Sequence, residues 1–233
     1  MKPEVRCWGV IPAAGVGARM AASIPKQHLE VMGKTLLQHS LDALLAVAAV
    51  DSVVVALEAN DPRASALRAW PRVHLAVGGV RRADSVLAAL RSLQKIAQRD
   101  DWVLVHDAAR PCLSSADGER LVATVLASGT GGLLAEPVVD TIKRVAVDGR
   151  VLETVDRSEL WRAQTPQMFR LGELTDALER ALLAGAVITD EASAMEWAGY
   201  PVVVVPGSSR NLKVTVPEDL ALAAFYLGKP ITG

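Results

Sequence analysis

The chain has 233 residues, 51% of them hydrophobic, with 25 Lys and Arg against 26 Asp and Glu. That length and apolar content can bury one sizeable core, so one α/β domain is expected. A formal net charge of −1 gives a polyanion such as DNA no general attraction, so any anion site has to be local, and Cys7 and Cys112 have neither metal spacing nor the density of a secreted disulfide framework.

At the amino end, MKPEVRCWGV sets Glu4 and Arg6 where a signal peptide needs apolar residues. The longest apolar stretch, ALLAVAAV, is well short of the ~20 residues that span a bilayer. A cytoplasmic protein is expected, with neither membrane nor nucleic acid as partner. CWGVIPA reads as the first strand, and the loop after it, AAGVGARM, carries Gly15, Gly17 and Arg19. TLLQHSLDALLAV has helical period, and Thr35 with Gln38 makes a capping box that starts this helix after Gly33, leaving Lys26 upstream in a loop where it can point at a ligand. SVVVALE and VHLAVGG follow as strands, DSVLAALRSLQKIAQ as a helix, WVLVHD as a strand, ERLVATVLASG as a helix and GLLAEPV as a strand. PVVVV and PEDLALAAFYL close the pattern as strand and helix. Such alternation implies parallel strands with crossover helices, and ligands in such sheets collect at the carboxyl ends of strands. One segment breaks the rhythm: VVDTIKRVAVDGRVLETVDR, residues 138–157, has strand-forming residues on both sides of Asp148-Gly149, a tight-turn pair. It reads as a β-arm. A lone hairpin is marginal in water, so the arm should pack on its own domain or on a second subunit, the latter predicting a homodimer.

The strand-end loops carry the chemistry. After Gly15 and Gly17, Met20 occupies the third glycine position of a dinucleotide fingerprint, and no Walker A sequence is present. What remains is a backbone bared by Ala13, Ala14, Gly15 and Gly17, with Arg19 and Lys26 as charged donors, which suits a triphosphate; the bland alternative is a strand-to-helix turn with solvated cations. In HDAARP, Asp107 directly follows an apolar strand, where it could hold Mg²⁺ through water, hydrogen-bond a ribose or serve as a turn residue. In GGVRRADS, Ser85 begins a helix, either as a cap or by aiming helix-terminal N–H groups at an anion. Arg157 ends the arm, Thr165 lies in AQTPQ, Thr189 precedes Asp190 and Glu191 as a candidate N-cap, and Lys213 sits in NLKVT; periodicity alone cannot gather these into one site. No H-E-x-x-H or G-x-S-x-G is present, which sets aside zinc and covalent serine chemistry.

Taken together and in order, PAAGVGARM, PKQ, RADSV, HDAARP, DTIKR, TVDR, QTPQ, TDEAS and NLKVT resemble the 2-C-methyl-D-erythritol 4-phosphate cytidylyltransferases of the non-mevalonate isoprenoid pathway. The resemblance runs along nearly the whole chain, with a departure at Val80 and Arg81, where family members often carry polar or acidic residues. It implies a single Rossmann-like three-layer α/β domain over residues 1–233, with a mostly parallel sheet and a protruding β-hairpin arm, working as a homodimer whose arms reach the partner's active site. It also implies CTP and Mg²⁺, with the 4-phosphate of methylerythritol phosphate attacking the α-phosphorus of CTP in line and pyrophosphate leaving. By motif position, Arg19 and Lys26 would stabilise the transferring phosphate and the departing pyrophosphate, while Lys213 and Arg157, the latter from the other subunit, would position the attacking phosphate. CTP falls to Pro12, Ala13, Ala14, Gly15, Gly17, Gly79, Arg82, Ser85, Asp107 and Ala108. The second substrate falls to Asp107, Arg110, Thr141, Arg157, Thr165, Thr189 and Lys213, with Asp107 also the metal-side residue, through water. Transfer of this kind asks a protein to align two anions and neutralise their charge. A unit charge pair at 4 Å is worth about 4 kcal/mol at an effective dielectric near 20, so a few placed cations offset much of the repulsion. A sibling enzyme using ribitol 5-phosphate shares the phosphate machinery, and a non-catalytic nucleotide-binding module shares the fold; DTIKR, TVDR and TDEAS favour methylerythritol phosphate.

Overall fold

Near-continuous burial along the first strand sets up the architecture. In a computed structural model that describes residues 6–15 and 25–228, β1 (Cys7–Pro12) sends Trp8 and Val10 into one apolar core and Cys7 and Ile11 into another. A strand that is apolar on both faces has to be covered on both, which makes a three-layer sandwich. After a 3₁₀ turn at Lys26–His28 come the short hairpin β2 (Glu30–Val31) and β3 (Lys34–Thr35), then α1 (Leu36–Leu45). The capping box is present: the Gln38 N–H donates to the Thr35 hydroxyl at 3.1 Å and the Thr35 N–H to the Gln38 side chain at 2.8 Å. Next in order are β4 (Val50–Leu57), α2 (Ala64–Arg68), β5 (Val73–Val77), α3 (Arg82–Leu93), β6 (Trp102–Val105), α4 (Ser115–Ser128) and β7 (Gly132–Pro137). The arm follows as β8 (Ile142–Val145) and β9 (Val151–Val155), then β10 (Trp161–Arg170), α5 (Leu171–Leu183), α6 (Glu191–Trp197), β11 (Val203–Pro206) and α7 (Glu218–Leu227).

Seven strands form one sheet in the order β11-β7-β10-β6-β1-β4-β5, parallel except for β10, which runs antiparallel to both β6 and β7. Sequence periodicity gives no strand over Trp161–Arg170, because WRAQTPQMFR has no run of Val or Ile and carries a proline. The register shifts between Ala163 and Gln167, which accommodates the proline inside an otherwise central strand. Leu37, Leu41 and Leu44 of α1 with Leu121 and Val125 of α4 fill one face of the sheet. Leu90 of α3, Leu174 and Leu178 of α5 and Met195 of α6 fill the other.

The chain runs from β1 outward to β4 and β5, then returns to β6 on the opposite side of β1. Loops leaving β1 and β6 therefore part company, and the crevice between them at the carboxyl ends of the strands is where an α/β sheet of this topology takes a ligand. The arm is a separate two-stranded sheet in which Ile142 pairs with Val155 and Lys143 with Thr154. Its turn has Gly149 at φ +84°, a left-handed conformation that suits glycine. Val145, Val147, Val151 and Leu152 on the arm are all exposed. No helix among the described residues is long and apolar enough to cross a membrane.

Candidate active site

The end of β6 delivers Asp107 to the crevice, where only 6% of it is exposed. Three cations from distant parts of the chain meet its carboxylate. The Arg82 Nε, at the start of α3, donates to Oδ1 at 2.9 Å; the Lys213 Nζ lies 2.8 Å from Oδ2; the Arg110 Nε stands 3.7 Å from Oδ2. Burial opposes ionisation of this carboxyl, but Arg82, Lys213 and Arg110 outweigh it and hold Asp107 far below the ordinary carboxylate range. The two terminal nitrogens of Arg82 form a bidentate pair with buried Glu191, at 2.7 and 3.0 Å. Burial raises the Glu191 carboxyl above its usual range against the pull of Arg82. Arg82 itself is raised, since the attraction of Glu191 and Asp107 overcomes the cost of burying it. The Arg110 guanidinium also donates to the Asn211 carbonyl at 2.6 Å and the Ala163 carbonyl at 3.3 Å, which ties the loop after β6 to β10 and to the segment leading to Lys213.

This charged wall separates two clefts, and Arg82, Asp107 and Lys213 line both. The first opens toward Ala13, Ala14, Gly15, Lys26 and Ser85, the second toward Arg110, Thr165, Gln167 and Thr189. In the first cleft, the buried Gln27 side-chain amide donates to the carbonyls of Ala13 at 2.8 Å and Gly15 at 2.9 Å, fixing the loop after β1 from behind. Lys26 Nζ reaches the Val214 carbonyl at 3.4 Å, beside Lys213. A Cβ on Gly78 would fall 2.5 Å from Ala14 Cβ and 2.9 Å from Ser85 Oγ, so glycine there lets the loops after β1 and β5 touch. A basic guanidinium, two ammonium groups and a glycine-bared loop around two adjoining clefts form a place to hold two anions side by side.

A family model described as 2-C-methyl-D-erythritol 4-phosphate cytidylyltransferase matches residues 7–229. The chain belongs to this family. Relatives of that name include one from Vibrio vulnificus (strain CMCP6), 52% identical over 222 residues and covering 94% of each chain, and one from Ectopseudomonas mendocina (strain ymp), 55% identical over 221 residues and again 94% of each. Among solved structures, a 4-diphosphocytidyl-2C-methyl-D-erythritol synthase superposes with a TM-score of 0.84 at 39% identity, covering 96% of this chain and 99% of its own. The 2-C-methyl-D-erythritol 4-phosphate cytidylyltransferase of Francisella tularensis gives 0.81 at 36% identity, with 95% and 99% covered.

Most site residues expected for a cytidylyltransferase of this family do come together. Pro12, Ala13, Ala14, Gly15, Lys26, Arg82, Ser85, Asp107, Ala108 and Lys213 line the first cleft. Arg110, Thr165 and Thr189 line the second. Gly79 sits one step behind, its N–H donating to Ser85 Oγ at 3.1 Å. Two local readings change: α3 begins at Arg82 with Arg81 as N-cap, so Ser85 lies inside the first turn, and α6 is capped by Asp190, whose carboxylate accepts the Ser193 N–H at 3.0 Å, leaving Thr189 just outside. Thr141 and Arg157 line neither cleft of this chain; both are exposed at the base of the arm, where an Arg157 Nη donates to the Val139 carbonyl. Gly17 and Arg19 lie outside the described residues. No group of three His, Cys, Asp or Glu able to hold a metal occurs among the described residues, and both Asp107 oxygens already meet cations. Asp107 is thus committed to Arg82 and Lys213, and the described residues offer no protein cage for a divalent ion.

Sequence reasoning assigned no role to Gln27, His106 or Glu191. The pairing of Glu191 with Arg82 spans 109 positions and leaves no local signature. Gln27 could have been found from its place beside Lys26, since a buried amide next to a bared loop has backbone carbonyls to satisfy.

Proposed function

We infer that the protein moves CMP from CTP to 2-C-methyl-D-erythritol 4-phosphate, giving 4-diphosphocytidyl-2-C-methyl-D-erythritol and pyrophosphate in the non-mevalonate isoprenoid pathway. The observation that carries this reading is the wall of Arg82, Asp107 and Lys213 shared by two clefts. A reaction that joins two phosphates needs two anion pockets with cations at their common boundary. CTP takes the cleft beside Ala13, Ala14 and Lys26; a magnesium ion would be held by the triphosphate itself, with Asp107 reaching it through water, and would screen triphosphate charge. Methylerythritol phosphate takes the cleft beside Arg110, Thr165 and Thr189. An oxygen of its phosphate forms a bond to the α-phosphorus as the bond to the β-phosphate oxygen breaks, and that electron pair leaves on pyrophosphate. No covalent enzyme intermediate and no protein proton is needed. Lys26 and Arg19 neutralise the transferring and departing groups, and Lys213 with Arg157 positions the attacking phosphate.

Arg157 and Thr141 serve the neighbouring subunit's second cleft in a homodimer joined through the arm, residues 138–157. Support comes from neither residue lining either cleft of its own chain and from the exposed valines of an arm whose strands pair only with each other among the described residues. Residues 1–233 act as one nucleotidyltransferase domain in the cytoplasm. Purified protein offered each nucleoside triphosphate with methylerythritol phosphate or ribitol 5-phosphate should release pyrophosphate fastest with CTP and methylerythritol phosphate. Faster release with ribitol 5-phosphate would reassign the second cleft.

A further inference from the structure

Behind Asp107 lies a fully buried histidine with both ring nitrogens engaged. His106 Nε2 is 3.0 Å from the Arg110 carbonyl and Nδ1 is 3.0 Å from Thr165 Oγ1, while the Asp107 N–H donates to that same Thr165 oxygen at 3.0 Å. A carbonyl only accepts, so Nε2 carries a proton; in the neutral ring Nδ1 then has a lone pair and accepts a hydrogen bond from the Thr165 hydroxyl. The Thr165 oxygen, its hydrogen directed at His106, is an acceptor toward everything else, and one lone pair is taken by the Asp107 N–H. We propose that His106 is a positioning residue: held as the Nε2–H tautomer, it turns the Thr165 hydroxyl into a fixed acceptor that locks the Asp107 main chain, and with it the wall between the two clefts.

The groups facing the ring agree with a neutral histidine. Burial is the largest influence and pushes His106 down to about 4, the charge of Arg110 pushes the same way, and hydrogen bonding to the backbones of Arg110 and Thr165 and the charge of Asp107 oppose it without prevailing. From β10, Thr165 is further anchored by the Asn211 side chain, which donates to its carbonyl at 2.7 Å. Thr165 is itself 4% exposed, so its hydroxyl has little freedom to turn. The assignment changes what Thr165 can do for a substrate. With its proton committed, it cannot donate to a phosphate oxygen; toward the second cleft it can only accept from a hydroxyl. Its main effect therefore runs through Asp107, which faces both clefts.

This inference rests on the cytidylyltransferase reading for its kinetic arm and on the free protein for its spectroscopic arm. In wild-type protein without substrates, ¹⁵N spectra of labelled histidine should show His106 protonated on Nε2 alone at neutral pH, and the Asp107 amide should exchange slowly. Thr165→Val, which keeps the shape and loses the hydroxyl, should release that protection. In turnover, Thr165→Val and His106→Leu should each lower kcat roughly 10-fold with similar effects on both substrates, since the first leaves the buried Asp107 N–H unpaired and the second leaves the Thr165 hydroxyl without its acceptor. Thr165→Ser and His106→Asn, which restore the hydroxyl and an acceptor near Nδ1, should recover most of the loss. The double variant His106→Leu with Thr165→Val should be no worse than either alone, as expected for residues acting as one unit. A ring protonated on Nδ1, an Asp107 amide indifferent to Thr165→Val, or a Thr165→Val enzyme in which only KM for the polyol phosphate rises would each overturn the proposal. If the wild type releases no pyrophosphate while the spectra behave as stated, the functional reading falls and the positioning role stands.

Discussion

The wall between the clefts and the β-arm both present basic side chains, but they hold them in opposite ways. In the wall, Arg82 and Lys213 are pinned to Asp107 and Glu191, whose carboxylates are almost wholly shielded from water. In the arm, Arg144 pairs with Glu153 at 2.6 Å although both side chains are more than half exposed, at 65% and 56%. Exposed pairs contribute little and re-form easily, whereas breaking a buried one strands a charge. The wall is thus set by the fold of one chain before any ligand arrives. Among the described residues the arm's two strands pair only with each other, and the task proposed for its cation Arg157 needs a second chain.

The largest effect should come from breaking the wall. Lys213→Ala removes a cation lining both clefts and leaves Asp107 to Arg82 and Arg110, so kcat should fall about 100- to 1000-fold, the range for deleting one preorganised charge stabiliser. Steady-state turnover beside thermal unfolding tests this: a loss of that size with the melting temperature little changed places the effect in the site, and wild-type turnover would remove Lys213 from it.

The next effect concerns the wall's dependence on acid. His106 falls from 6.5 to about 4 on folding, burial being the main cause, so the unfolded chain takes up a proton across that interval while the native protein does not. Stability is therefore fully present above about 6.5 and drains away as pH drops toward about 4, by an amount of the order of 3 kcal/mol at about 1.4 kcal/mol per pH unit. Asp107, depressed on folding, has the opposite charge but the same direction, holding its contribution until much stronger acid. Glu191 runs the other way, because its raised carboxyl favours the native state as pH falls. Urea titrations of wild type and His106→Asn across this range separate them: the difference between the two curves should shrink as pH falls through the interval, and a constant difference would deny that the ring is neutral.

The contrast between wall and arm also explains what could be read from sequence. The strands β1, β4, β5, β6, β7 and β11 stood out because apolar runs and turn residues are local, as did the capping box at Thr35 and the Asp148-Gly149 turn. The arm's two strands and its turn were therefore legible, while what the arm packs on was not. β10 was not, since its place at the middle of the sheet is set by neighbours on both sides and its own composition is that of a loop. In the site, Lys26 and Asp107 stood out from their places in strand-end loops and Lys213 gained a role only by motif resemblance, yet their convergence comes from strand order and not from spacing. Glu191 and His106 went unassigned because a buried polar residue declares its role only through partners, and their side-chain partners, Arg82 on α3 and Thr165 on β10, are remote in sequence.

The arm should respond more weakly than the wall, and only through its neighbour. Arg157→Ala leaves an exposed arginine's place empty and should alter stability by no more than about 0.5 kcal/mol, while raising KM for methylerythritol phosphate roughly 10-fold through loss of a charge-assisted contact. Mixing Arg157→Ala subunits with Lys26→Ala subunits should restore activity, because a mixed dimer has one shared site with both residues intact. No recovery after confirmed subunit exchange would return Arg157 to its own chain.

Smallest of all should be Gly149→Ala. At φ +84° the added Cβ costs about 1 kcal/mol, but it meets nothing within 4 Å, so the cost is conformational and stays in the turn. Because β8 and β9 pair only with each other, that energy has no route into the seven-stranded sheet. Amide exchange should quicken at the ladder positions Val145 and Val151 while the amides of β1 and β6 keep their protection and global unfolding stays put. If the same substitution lowered the global stability of the isolated subunit by the full amount, the arm would have to be packed on its own domain, and the division between a prebuilt wall and an arm awaiting its partner would be lost.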